Sequence, residues 1–166
     1  MYRNKRKAFT MLELVFVIVI IGILSAVAIP KFAATRGDAV IAKAKNTVAS
    51  IRSSIATERQ KRILRGKFTP IFKLSKSKTL GDPIFDGIDG NTTIPALQYP
   101  PFSCKTSTST GCWRETTTGT KGKPKSVYTY NMPISGSVLF TLENNTFTCP
   151  AKGTAPKNKY CRLLTQ

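Results

Sequence analysis

The stretch AFTMLELVFVIVIIGILSAVAIP, residues 8–30, decides how the rest of this chain is read. From Leu14 to Leu24 every residue but Gly22 is apolar, yet Glu13 stands at the entrance to that run. A carboxylate costs roughly a few kcal/mol to carry into a bilayer, so it calls for a cationic partner at membrane depth. Burial becomes tolerable only when such a charge is paired and hydrogen-bonded. Working outward, Met1–Lys7 carries Arg3, Lys5, Arg6 and Lys7 and no acid. That bias holds the N-terminus on the cytoplasmic side and sends the remainder across the membrane. A secretory signal peptide shares the basic start and the apolar core, and Ala26-Val27-Ala28 would serve as its small-x-small cut. Against it stand the charge inside the core and a helical pattern that continues past Pro30.

The basic leader, the junction Ala8-Phe9-Thr10-Met11-Leu12-Glu13 and the apolar run together resemble the processing and assembly segment of the type IV pilin and type II secretion pseudopilin family. The likeness is specific over residues 3–37, moderate over the rest of the first helix and only architectural beyond. It implies that a prepilin peptidase cuts between Ala8 and Phe9 and that Phe9 becomes the N-methylated terminus. It implies, too, that Glu13 meets the Phe9 ammonium of a neighbouring subunit, or of its own chain, during assembly. The residue before such a cut is usually Gly; Ala8 departs from that, and slower cleavage is expected. In the resembled filaments the stretch matching Gly22 to Pro30 can lose helicity. The implied partners are copies of the chain and minor pseudopilins, the peptidase, a cytoplasmic ATPase and an inner-membrane platform. The implied location before assembly into a filament is the bacterial inner membrane, single-pass, with the N-terminus cytoplasmic and the globular part periplasmic or extracellular.

Composition sets the remaining bounds. The 166 residues hold 26 Lys+Arg, 8 Asp+Glu and no histidine, a net charge of +18. Removing the four basic residues of the leader leaves 22 against 8, or +14. Such a charge favours polyanions, anionic lipid or an acidic neighbouring subunit, although a solvated basic surface gives the same count. Without histidine the commonest acid/base group and the commonest metal ligand are missing.

The expected fold is α+β: one long N-terminal helix with a small antiparallel sheet packed on its second half. The chain divides into a leader at 1–8, a membrane or filament-core helix at 9–30, an amphipathic half at 31–66 and an exported domain at 67–166. The helix is expected from about Thr10 to Leu64, with a kink near Ala26–Pro30, because proline removes a backbone hydrogen bond. Val40, Ala44, Val48, Ile51 and Ile55 recur at helical spacing and form a stripe able to lie under a sheet. Gly66 and Pro70 supply the stop. At 1.5 Å per residue such a helix spans roughly 80 Å, more than a bilayer.

Residues 67–100 read as an irregular connector, because Gly and Pro recur throughout. Within it Asp86, Asp89 and Asn91 have an alternating-oxygen spacing but no bidentate Glu, a poor calcium loop. Asp89-Gly90-Asn91-Thr92-Thr93 also fits a bacterial acceptor for N-linked sugar; a plain turn explains both strings. Residues 114–125 read as an exposed mobile loop. Three strands follow, Val127–Met132, Ser137–Leu142 and Thr146–Cys149, joined by short turns into a meander. Val138, Phe140 and Leu142 share a face and are expected to cover the Val48–Ile55 stripe.

Four cysteines in an exported domain suggest two disulfides with three connectivities. We favour neighbours, Cys104 with Cys112 and Cys149 with Cys161, because the intervening polar stretches cannot order themselves unaided. Phe147, Tyr160 and Leu163 are expected to pack near the second bridge. A four-cysteine zinc site lacks the short knuckle spacing and the reducing compartment.

No glycine-rich phosphate loop, paired carboxylates or activated nucleophile is legible, so neither an enzyme nor a cofactor is expected. The function expected is structural, a cleaved subunit polymerised into a pseudopilus or pilus. The alternative is a DNA-binding minor pilin of a transformation pilus. In it Lys43, Lys45, Arg52, Arg59, Lys61, Arg62, Arg65 and Lys67 would attract phosphates, with Trp113 or Tyr128 available for stacking.

Overall fold

The structure is a computed structural model that describes residues 9–123, 125–149 and 156–166. The chain divides into two compact units, Met1–Asp38 and Ala39–Gln166. Its first element, α1, covers Met11–Leu64 and is continuously helical through Gly22 and Pro30. The end is set by Gly66, whose φ of 71° is cheap only without a Cβ. The Lys67 amide donates to the Arg62 carbonyl at 2.8 Å and the Gly66 amide to Ile63 at 2.9 Å, the paired bonds of a Schellman stop.

In the first unit Met11–Ile29 is long and apolar enough to cross a membrane, and none of it is buried. In the second unit the helix buries Ala44, Val48, Ile51 and Ile55, all but the first member of the expected stripe. One further turn along, Glu58 is buried and forms an ion pair with Arg62.

The sheet is antiparallel, with strands in the order β1 (Cys112–Thr117), β2 (Lys125–Asn131), β3 (Ser137–Glu143) and β4 (Thr146–Thr148). The three expected strands are present, and Val138, Phe140 and Leu142 join the core that holds the helix stripe. Asn144 and Asn145, both at positive φ, make the two-residue turn between β3 and β4.

Four expectations are corrected. Residues 114–117, read as a mobile loop, belong to β1, whose Trp113 and Glu115 point inward. The connector is irregular, as expected, but it is no mere linker: Ile71, Leu74, Ile84, Phe85, Ile88 and Ala96 are core residues. Phe85 sits at φ 64° with no exposure, its ring 5.4 Å from Trp113 and 5.1 Å from Tyr128. A left-handed non-glycine costs about 1–2 kcal/mol, which burial of a whole phenyl ring offsets. The C-terminal tail, read as irregular, ends in α2 (Pro156–Thr165). Proline suits its first position because that amide has no helical partner. On α2 it is Leu164 that enters the core, with Tyr160 packed against it, while Leu163 is exposed.

Both expected disulfides form. Cys104 joins Cys112 across a Cα separation of 5.2 Å, and Cys149 joins Cys161 across 5.9 Å. The second tethers α2 to the end of β4; Pro150 and residues 151–155 between them lie outside the described residues.

Candidate processing and assembly segment

The head of α1 is built by two residues, Thr10 and Glu13. Thr10 precedes the first helical turn, where amide groups have no intrahelical acceptor. Its Oγ1 accepts from the Glu13 amide at 3.2 Å. In return Glu13 Oε2 accepts from the Thr10 amide at 3.0 Å and from the Thr10 hydroxyl at 3.1 Å. This reciprocal ring is a capping box, Thr10-x-x-Glu13, and it starts the helix two residues after the expected cut. The sequence carries the signal, a Thr three residues before a Glu, and the structure gives the carboxylate this second role beside the expected one in assembly. Phe9 is 78% exposed.

Beyond the ring, Phe16, Ile18, Ile21, Ile23 and Leu24 remain exposed. A Cβ built on Gly22 would meet nothing within 4 Å, so no contact within the single chain requires a glycine there. Gly22 and Pro30 are both helical, and the expected loss of helicity belongs to an assembled filament. Ala8 lies outside the described residues.

The remaining sequence candidates fall in the second unit, and several of them serve its folding. Asp89 Oδ1 accepts from the Phe72 amide at 2.8 Å, and its Oδ2 takes the Arg62 guanidinium at 2.8 Å. Asp86 accepts from the Lys76 amide at 2.8 Å, and Asn91 Oδ1 accepts from Thr93. All three side chains of the poor calcium match thus hold the turn itself, as the plain-turn reading has it. Among the described residues no group of three or more His, Cys, Asp or Glu side chains could hold a metal.

The proposed stacking pair is corrected outright. Trp113 and Tyr128 are buried within the aromatic core and have no face open to a base. Two of the eight basic candidates are also engaged, Arg52 donating to the Phe147 carbonyl at 3.1 Å and Arg62 held between Glu58 and Asp89. Those two carboxylates hold the Arg62 guanidinium above its ordinary pKa even though burial opposes it. Such an arginine is part of the frame.

One buried ionisable group was not foreseen. Glu115 on β1 is buried, and burial pushes its pKa up to about 7. Inward strand positions are ordinarily apolar, so the residue type gave no warning.

Residues 3–29 match the family description "Prokaryotic N-terminal methylation motif". The chain carries a type IV pilin-like prepilin segment. The match covers the leader and the apolar half of α1, and with the α+β architecture it makes the fold pilin-like. The motif implies processing by prepilin peptidase and assembly into a pilus or pseudopilus, and with the apolar helix it implies anchoring by one span. No curated protein and no solved structure matches the chain.

Proposed function

We propose that this pilin-like chain is a non-catalytic structural subunit of a type II secretion pseudopilus. On this reading the leader stays cytoplasmic, the globular unit is periplasmic, and the cut after Ala8 frees Phe9. Its ammonium then pairs with Glu13 of a neighbouring copy as the helices bundle. The observation that carries the reading is the carboxylate at the head of a bare apolar helix, within the matched segment. A charge in that place is costly as an anchor and useful as a docking point. The small sheet and the cystine-tied tail favour a pseudopilin over a major pilin. A surface depression of about 880 Å³ is open and lined mainly by small or uncharged side chains such as Ala42, Asn46 and Ser50, with Lys43 and Tyr99 its only ionisable ones, which supports a surface for packing over one for chemistry.

Intact mass and N-terminal analysis test the processing step. The mature protein is expected to begin at N-methyl-Phe9. A terminus at Ile29 would show signal-peptidase cleavage and sink the reading.

A second reading, a DNA-binding minor pilin, is favoured by charge alone. Among the described residues the ion pairs engage only Arg62 and Lys125 of the cations. With Trp113 and Tyr128 buried, the stacking expected of them is lost, and the phosphate contacts that charge supplies weaken steeply with salt. Fluorescence anisotropy with a short duplex decides this: affinity unchanged between about 50 and 200 mM salt, or none at all, removes it.

A further inference from the structure

The segment from Phe72 to Lys78 has no strand of its own, yet it lies along β1 and β2 under several fastenings. The Leu74 amide donates to the Tyr128 hydroxyl at 2.8 Å, and the Ser126 hydroxyl donates to the Phe72 carbonyl at 2.6 Å. At its far side the Ser75 hydroxyl accepts from the Phe85 amide at 3.1 Å. Glu115 sits in this layer, paired across the sheet with Tyr128 just before a register shift in β1. It is 7% exposed, and its Oε1 has no hydrogen-bond partner.

A buried carboxyl with an unsatisfied oxygen is tolerable when neutral and expensive when ionised. The groups facing it come from three sides. Lys73, Ser75 and Lys78 belong to the segment itself, Tyr128 to β2, and Thr118 follows β1. The two ammonium groups and the Thr118 and Ser75 hydroxyls favour the anion, but burial outweighs them all.

We propose that Glu115 is a proton-operated fastening: protonated, it lets the Phe72–Lys78 segment lie closed on the sheet, and ionised, it loosens that segment. The sign follows from burial. The folded carboxyl titrates near 7, above the ordinary 4.5, so its stabilising effect is complete below the ordinary value. That effect is lost as pH rises through about 7. Because Lys76 and Lys78 are exposed on the same segment, opening would redeploy part of the cationic surface under mildly alkaline conditions.

Amide hydrogen exchange on the full chain in detergent micelles tests this, between pH 5.5 and 8.5, with rates normalised for intrinsic exchange. For wild type the protection of the Phe72–Lys78 amides should fall about tenfold or more relative to β3. In Glu115→Gln it should stay flat. A flat wild-type profile, or the same fall in the Gln variant, overturns the proposal. Should Glu115→Gln fail to fold, carboxyl-carbon NMR of the wild type decides instead: a midpoint near 7 supports the fastening, and one near 4.5 overturns it.

Discussion

One helix runs through two solvents. Over Met11–Ile29 apolar side chains cover every face of the helix and none is buried. From Ala39 on, the same backbone conformation carries a stripe of four buried apolar residues and mostly polar or small groups elsewhere. The first stretch has no inside and outside, because its surroundings must come from lipid or from other copies. The second is an ordinary amphipathic helix whose inside is a sheet. Secondary structure is therefore the poorer guide to function here; what separates the stretches is which side chains already have company. The first is a segment for association and the second a platform for folding.

Glu13→Val breaks this contrast most severely. It removes the only charge in the apolar stretch, so membrane insertion should be unchanged or better. Filament assembly should be abolished while thermal unfolding of the globular unit stays within about 0.5 kcal/mol, as expected of a change remote from its core. Electron microscopy of sheared filaments checks this, and normal filaments would remove the assembly role of Glu13. A smaller effect sharpens the contrast from the other side. Ile51 has no exposure, so Ile51→Ala should cost about 2–5 kcal/mol of globular stability. Its membrane partition should not change. If denaturant unfolding moves by less than about 1 kcal/mol, the stripe is not the core's foundation.

Elements that announce themselves through pattern were legible. The charge-interrupted apolar run, the helix stripe, the Gly66 stop and three strands all follow from spacing. What escaped has a common cause: burial without periodicity. β1, Cys112–Thr117, has one large apolar side chain and points a glutamate inward, so its alternation was hidden. Phe85 reaches the core from a left-handed turn that no strand or helix template contains. α2 gives the core Tyr160, Cys161 and Leu164 from a short, mostly polar helix whose Leu163 is exposed, and its Pro156 start signal stands beside loop-like neighbours. The candidate site was legible as chemistry but incomplete as geometry. Glu13 stood out as a charge needing a partner; that Thr10 already provides one required the ring to be seen.

That ring recasts the act of joining a filament. In the lone chain the Glu13 carboxylate is occupied, holding the amide and hydroxyl of Thr10. On the proposed assembly role, an incoming ammonium does not fill an empty berth. It meets a carboxylate whose Oε2 is already held, so docking at that oxygen becomes an exchange whose driving force is the difference between two sets of bonds. A monomer guarded in this way is reluctant to aggregate through its charge while it waits in the bilayer, and the toll for entry falls due only where a neighbour is positioned to replace what the threonine gives up.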